Sequence, residues 1–371
     1  MNGGAGQVAA LLVVGVIGVL IAGLQPQLLG ALALEGRVSV AALGGLATVE
    51  LLAMGLAAGG AGFVLPAGRL RAIACAALLV TGLIDLATPR CAGAGLFAAR
   101  AVAGVGEGVL IWITIGFIVG TARPERWSGL YLALQTLAQC VLASAIGVYA
   151  ASSTSGFATL GMVTLAGLAA VRWMPDAHAI AASGPGGGIP PGRGALALGG
   201  VVLYLAFIVA VWVYLEPLAV ERGVPATIVH LIAPLSLAMQ VLGAGAATLL
   251  AGHVRSRATL ALVGLVNLGL LAMMASGPAG LFVPAAAAFG FLWLFALPFQ
   301  VSAVIAADPT LRAAILIGGA QLVGSSLGPL LASMLVGPHD VAPVLLFGAA
   351  CLSAGVLALV VAGRVRHSLD A

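Results

Sequence analysis

Apolar runs of about twenty residues follow one another along nearly the whole chain, separated by short polar connections. A helix needs about 20 apolar residues to cross a hydrocarbon core about 30 Å thick, and its backbone polar groups are paired internally. The pattern therefore predicts an all-α membrane protein with twelve transmembrane helices. The predicted spans are 8–34, 38–64, 72–89, 94–120, 128–151, 156–174, 195–220, 225–251, 258–276, 279–306, 313–336 and 341–363.

Composition agrees with this pattern and excludes several other classes. Of the 371 residues, 62% are hydrophobic and only 7% are charged, which is too apolar a surface for a water-soluble domain of this size. The net charge of +4 comes from scattered arginines, unlike the clustered basic surface of a nucleic-acid-binding protein. The 4 cysteines lack pair spacing and the 5 histidines are isolated, so we expect no disulfide, metal site or cofactor.

The distribution of arginine predicts the orientation in the membrane. If the N-terminus is cytoplasmic, about eleven arginines lie at inner helix ends and loops and about three in outer loops. We therefore expect both termini on the cytoplasmic side of a bacterial inner (plasma) membrane. The first apolar run is too long for a cleaved signal peptide and is interpreted as a retained span.

One stretch rich in glycine and proline interrupts the apolar pattern near the middle of the chain. Residues 183–194 read Ser-Gly-Pro-Gly-Gly-Gly-Ile-Pro-Pro-Gly-Arg-Gly, which is typical of a linker. It predicts three regions: an N-terminal six-helix bundle over 1–175, a cytoplasmic linker over 176–194, and a C-terminal six-helix bundle over 195–371.

The two halves share short motifs in the same order, which indicates an internal duplication and two pseudo-symmetric bundles. Two of these matches are followed by a nearby glutamate and arginine. The matching pairs are Gly68-Arg69-Leu70-Arg71 with Gly252-His253-Val254-Arg255, Gln139 and Ser144 with Gln321 and Ser326, and Leu24-Gln25-Pro26 with Leu215-Glu216-Pro217.

The layout and two motifs resemble the major facilitator superfamily. The fourth span carries Arg100-x-x-x-Gly104-x-Gly106-x-Gly108, similar to the arginine-plus-glycine motif of that family. Gly68-Arg69 resembles the end of the family's motif after the second span, although Leu65 occupies its aspartate position. The Gly-Pro motif of many antiporters is absent from the fifth span. The resemblance implies a secondary transporter that works by alternating access, with spans 4 and 10 lining the cavity.

Ionisable residues inside spans are expensive, by about 2.5–3.5 kcal/mol each on insertion scales, and therefore mark candidate functional sites. Five are present, four of them in the first half, which suggests that this half handles ions and the other handles the bulk of the solute. Glu107 and Glu50 lie near mid-bilayer and are the candidates for proton coupling, with Glu107 preferred. The alternative for each is a structural, protonated carboxyl group. The five residues are Glu50, Asp85, Arg100, Glu107 and Glu216.

Arg100 has two possible roles. It is either a polar contact for the solute or a structural partner of Asp85, which lies at a similar depth. Arg100 and Glu107 are seven residues apart on one helix face, a spacing that we interpret as too long for a tight ion pair.

Further candidate solute contacts lie on both halves. Gln25 and Glu216 each precede a proline and are interpreted as pseudo-symmetric elements of an outer gate, Glu216 having the alternative of facing water. Phe291, Phe295 and Phe299 repeat every four residues, either as a cavity wall or as lipid-facing packing. The remaining candidate contacts are Trp112, Trp293, Gln139, Gln300 and Gln321, the tryptophans as a facing pair and the amides with interhelical hydrogen bonding as the alternative.

The most consistent function is transport of a small amphipathic or modestly polar organic solute, coupled to protons, by a monomer in the lipid bilayer. The alternatives are an exporter of lipophilic compounds and a non-transporting scaffold that binds a lipid or pigment. Enzymatic activity is not expected, because Gly324-x-Ser326-x-Gly328 imitates a hydrolase motif but lies within a helix.

Overall fold

The computed structural model describes residues 4–66, 68–119, 121, 124–149, 152–177, 190–250, 253–308, 310, 312–337 and 340–363. Within these ranges the chain is helical, and an isolated bridge between Gly337 and Asp340 is the only β feature. Twelve of the described segments are long and apolar enough to cross a membrane. The predicted all-α fold with twelve spans is confirmed.

The chain separates into two compact units, Met1–Gly184 and Pro185–Ala371. Most of the predicted linker over 176–194 lies outside the described residues, so the exact domain boundaries stay a prediction. Unit 1 contains α1 (Ala5–Gly18), α2 (Leu20–Leu34), α3 (Leu43–Val64), α4 (Leu70–Ala87), α5 (Ala94–Val119), α6 (Pro124–Tyr149), α7 (Ser153–Ala166) and α8 (Leu168–Val171). Unit 2 contains α9 (Gly192–Val213), α10 (Leu215–Glu221), α11 (Ala226–Leu250), α12 (Ser256–Ser276), α13 (Phe282–Ala307), α14 (Arg312–Ser333) and α15 (Pro343–Ala362). Short 3₁₀ turns at Val40–Ala42, Thr88–Arg90 and Ala279–Leu281 precede or follow three of these helices.

The first span of unit 1 is broken between α1 and α2 at Val19, whose backbone leaves the helical region. The carbonyl of Val19 accepts a hydrogen bond of 2.7 Å from Nε2 of Gln139 on α6. In unit 2, α9 ends at Val213 and α10 begins after Tyr214. Pro217 has no N–H to donate to the carbonyl of Val213, which accounts for this second break.

Glycines allow the central helices of unit 1 to pack backbone against backbone. A Cβ atom at Gly104 would lie 2.4 Å from the carbonyl oxygen of Glu50, and one at Gly108 would lie 2.2 Å from that of Met54. A Cβ atom at Gly106 would lie 2.1 Å from the hydroxyl of Thr81 on α4. The glycine motif of the fourth span is therefore a packing groove for α3 and α4.

The far side of unit 1, where its first span ends, is closed by a pair of contacts that we call the unit 1 clasp. Glu35 accepts hydrogen bonds from the backbone N–H of Ser153, at 2.7 Å, and from its hydroxyl, at the start of α7. Arg37 donates to the carbonyl of Cys91 at 3.2 Å. Gly36 between them has φ of 68°, a conformation that favours glycine.

Unit 2 repeats this construction in a unit 2 clasp. Glu221 accepts a hydrogen bond of 2.6 Å from the N–H of Val341, just before α15, and Arg222 donates to the carbonyl of Gly277 at 2.9 Å. Gly223 has φ of 74°. Each of these residues follows its unit 1 counterpart by 185 to 188 positions, so the contacts define the register of the repeat.

This register corrects the predicted pairing of Gln25-Pro26 with Glu216-Pro217. Pro26 precedes the clasp residue Glu35 by nine positions, whereas Pro217 precedes Glu221 by four. The difference of five residues is about 7.5 Å along a helix. The two proline motifs are therefore not structural equivalents, and the local sequence likeness was misleading.

Candidate functional site

Arg100 is the centre of a fully buried ionic cluster in unit 1. Its Nη1 atom donates to Oδ1 of Asp85 at 2.7 Å and to the hydroxyl of Thr88 at 3.2 Å. Its Nη2 atom donates to Oε1 of Glu50. The ion pair with Asp85, one of two roles considered for Arg100, is thus present, and one guanidinium joins α3, α4 and α5.

Glu107 belongs to the same cluster but is held more loosely. Its Oε1 atom lies 3.7 Å from Nη2 of Arg100, and its Oε2 atom has no hydrogen-bond partner among the described residues. The interpretation that seven residues keep these side chains apart is wrong, because two long side chains together bridge about 10.5 Å of helix axis. The contact is nonetheless the longest of the three ion pairs.

Local packing explains how four charged groups come together in an apolar unit. Gly104 brings α5 against the backbone of α3 at Glu50, and Gly106 brings it against α4 near Thr81. The ring of Phe157 on α7 lies 5.1 Å from the guanidinium carbon of Arg100 and covers it with a cation–π contact. The sequence gave a signal for Thr88, three residues from Asp85 and on the same helix face, but none for Phe157.

The equivalent place in unit 2 contains no charge. A Cβ atom at Gly290 would lie 2.4 Å from the carbonyl oxygen of Ser236, which repeats the contact of Gly104 with Glu50 at an offset of 186 residues. The Ser236 hydroxyl donates to the carbonyl of Ala286, at 3.0 Å. At the same offset, Ala286 corresponds to Arg100, and the predicted loss of charge from the second half is confirmed there.

The register also places Trp293 opposite Glu107 in the repeat, which corrects the predicted equivalence of Trp293 with Trp112. The Trp293 ring packs edge-on against Trp212, with centroids 5.6 Å apart. Trp112 lies against α3, where its Nε1 atom would be 3.2 Å from a Cβ atom at Gly62. That the two tryptophans face each other across a central cavity stays a prediction.

Two candidate amides are buried without any hydrogen-bond partner in the part of the chain that the structure describes. Both side-chain polar atoms of Gln25 on α2 and of Gln300 on α13 are in this state. A buried polar group left without a partner costs about 1–3 kcal/mol. Such groups are positions where a bound solute or water would supply the missing bonds.

Glu216 is also buried, with 5% of its surface exposed and its Oε1 atom without a partner in the described ranges. The alternative of a helix-end acid facing water is therefore wrong. Gln139, by contrast, makes the interhelical hydrogen bond to Val19 that was left open as its alternative role. Gln321 on α14 is partly buried.

The aromatic stripe on α13 is continuous. The ring centroids of Phe291 and Phe295 are 5.6 Å apart, and those of Phe295 and Phe299 are 5.3 Å apart. Phe299 is buried and the other two are partly buried. The spacing of four residues thus produces the predicted stripe, and its place in a cavity wall stays a prediction.

Known proteins resemble this chain in structure and not in sequence. No family model matches the sequence, and no curated protein sequence is significantly similar to it. The nucleoside transporter NupG superposes with a TM-score of 0.72 at 11% identity, covering 96% of this chain and 100% of its own. A D-xylose-proton symporter gives 0.70 at 14% identity, covering 96% of both chains.

A bacterial homolog of the human lysosomal transporter Spinster, in an inward-facing and occupied conformation, superposes with a TM-score of 0.60 at 14% identity. The match covers 96% of this chain and 93% of the homolog. Such low identities show the fold alone. Together with the twelve spans and the repeated clasps, they establish that the chain has the major facilitator superfamily fold.

Proposed function

We propose that the protein is a secondary transporter of a small amphipathic or modestly polar organic solute, coupled to protons and working by alternating access. The observation that carries this proposal is the buried ionic cluster, in which one guanidinium faces three carboxyl groups. The fold supports it, since the structural neighbours described above are a nucleoside transporter, a sugar-proton symporter and a third transporter.

Charge balance makes the cluster a proton site. Buried charges are stable only when they are paired, and one guanidinium compensates one carboxylate. If Glu50, Asp85 and Glu107 were all ionised, the cluster would carry a net charge of −2 in a dry environment. Binding of protons removes this excess, so the cluster exchanges protons whenever water reaches it.

Glu107 is the preferred carrier of the coupling proton. Glu50 and Asp85 accept hydrogen bonds from Arg100, whereas Glu107 stands 3.7 Å away with one oxygen unpartnered in the described structure. Protonation of Glu107 therefore sacrifices the least. When it loses its proton it attracts Arg100 away from α3 and α4, and this links protonation to helix packing. Glu50 is the second candidate.

The solute contacts are proposed from burial and missing partners. Gln25, Gln300 and Glu216 offer unpartnered polar atoms, and the aromatic surfaces of Phe291, Trp293 and Trp112 complement an apolar part of the solute. Gln139 and Gln321 are weaker candidates. We assign Arg100 to the proton cluster rather than to the solute, because its side chain is fully buried against acids.

Orientation follows from the arginine distribution and is tested by labelling. With both termini in the cytoplasm of a bacterium, a cysteine introduced at Gly187, which lies outside the described residues, reacts from the cytoplasmic side. Native Cys91 reacts from the opposite side. Reaction of both cysteines from one side would contradict the proposed topology.

The transport proposal is tested in proteoliposomes that contain a pH indicator. Adding a transported solute to one side should change the internal pH in wild-type vesicles and leave protein-free vesicles unchanged. A screen over nucleosides, sugars, amino acids and amphipathic amines identifies the solute class. If radiolabelled solute accumulates with no pH change and no dependence on a proton gradient, proton coupling is wrong and transport remains.

A further inference from the structure

A cavity of about 790 Å³ lies within unit 1, away from the ionic cluster. Every lining residue is apolar. They are Ala9, Leu12, Val13, Val16 and Ile17 of α1, Leu20 of α2, Leu134, Leu137, Ala138, Val141, Leu142 and Ala145 of α6, Val163 and Ala166 of α7, and Gly167.

The cavity opens to the surface of the spans. Leu137 and Val141 on α6 are 53% and 62% exposed, and Val13 on α1 is 44% exposed. At this depth the medium outside is hydrocarbon, so the occupant that enters from it is an apolar chain. The volume is within the range of about 300–1,000 Å³ typical of small-molecule sites.

A cationic and aromatic pair stands at the near-side end of the same helices. Arg172 follows α8 directly, five residues or about 7.5 Å beyond the lining residue Gly167. Its guanidinium carbon lies 3.7 Å from the centroid of the Trp173 ring, and both side chains are exposed. Trp173 also lies next to Gly6, at the start of α1.

We propose that this cavity and Arg172 together form a binding site for one anionic glycerophospholipid of the leaflet nearest the N-terminus. An acyl chain fills the cavity between α1, α6 and α7, and the phosphate group pairs with Arg172. Tryptophan is favoured at the headgroup level, which agrees with the place of Trp173. The site is separate from transport chemistry and does not depend on the proposed solute.

The occupied cavity would also support the break in the first span. Its lining includes Leu20, directly after the break at Val19, and Ala138, directly before Gln139, which holds the Val19 carbonyl. A bound acyl chain therefore packs against both partners of that hydrogen bond. Loss of the lipid should lower the thermal stability of the protein.

The test is native mass spectrometry of delipidated protein titrated with phosphatidylglycerol or phosphatidylcholine of identical acyl chains. Ala138→Phe fills the cavity, and Ala133→Phe is the matched control because Ala133 is exposed on α6 and outside the lining. We expect wild type and Ala133→Phe to retain one phosphatidylglycerol and Ala138→Phe to lose it. Arg172→Gln should reduce the preference for phosphatidylglycerol by about fivefold.

The outcomes separate the two parts of the site. Equal lipid retention by wild type, Ala138→Phe and Ala133→Phe, or no retention by wild type, overturns the cavity as the acyl-chain site. An unchanged headgroup preference in Arg172→Gln overturns the role of Arg172. Circular dichroism and gel filtration of each variant establish that it is folded, and a lipid-dependent rise in Tm that Ala138→Phe lacks supports the proposal independently.

Discussion

Unit 1 and unit 2 are built on one scaffold and differ at its centre. Both have a clasp on the far side, with glutamate, arginine and a glycine of positive φ. Both cross their central helices at a glycine, Gly104 or Gly290. At this crossing unit 1 places Glu50 and Arg100, whereas unit 2 places a hydrogen bond between Ser236 and Ala286.

The difference teaches which half can respond to protons. A serine hydroxyl bonded to a backbone carbonyl does not titrate in the physiological range, so the crossing in unit 2 is held in the same way at any pH. The crossing in unit 1 depends on how one guanidinium is shared among three carboxyl groups. The duplicated fold therefore keeps a rigid version of the contact beside a charged one.

The largest effect on stability is expected from Arg100→Met. Removing one partner of a buried ionic cluster leaves uncompensated acids and typically costs about 3–5 kcal/mol. Ser236→Ala, at the equivalent crossing, should cost about 1 kcal/mol. The measurement is thermal unfolding of both variants in the same detergent. Similar Tm values for the two variants would contradict the claim that only unit 1 relies on charge.

The next effect tests what the two units share. Gly104→Ala and Gly290→Ala each force a methyl group to within 2.4 Å of a backbone oxygen on the facing helix. We expect each to lower stability by about 1–3 kcal/mol. Gly129→Ala is the control, since a Cβ atom there has nothing within 4 Å. If one of the two crossing variants unfolds like the control, the crossings are not equivalent.

The smallest effect is expected at the clasps. Glu35→Ala and Glu221→Ala each remove a side chain that accepts hydrogen bonds at the start of a helix, at a cost of about 1 kcal/mol. Glu35→Ala should cost more, because Glu35 accepts two bonds and Glu221 one. The two losses should add within about 0.5 kcal/mol in the double variant, because the clasps lie in separate units. Strong non-additivity would contradict that independence.

The sequence was sufficient for features that depend on local pattern. The twelve spans follow from apolar length, the glycine groove from the spacing of Gly104, Gly106 and Gly108, and the pair of Asp85 with Arg100 from similar depth. Glu107 could not be placed in the cluster from sequence, because the reach of two flexible side chains decides whether seven residues are bridged.

The register of the repeat was also beyond the sequence. Gln25-Pro26 and Glu216-Pro217 look alike, but proline motifs recur wherever a helix is bent, and only the clasp contacts showed a difference of five residues. Trp112 was matched with Trp293 on residue type alone, whereas the glycine crossing sets Trp293 opposite Glu107. Contacts between helices define a register that side-chain likeness does not.

The central claim is that Glu107 carries the coupling proton, and Glu107→Gln in proteoliposomes tests it most directly. The amide keeps the shape of the side chain and removes its titration. We predict that uphill accumulation driven by a proton gradient is lost while counterflow exchange is largely retained. Glu216→Gln, the matched control in unit 2, should change the apparent solute affinity and keep accumulation. If Glu107→Gln accumulates solute with the pH dependence of wild type, Glu107 is not the coupling residue, and the same result for Glu50→Gln would remove the case for proton coupling.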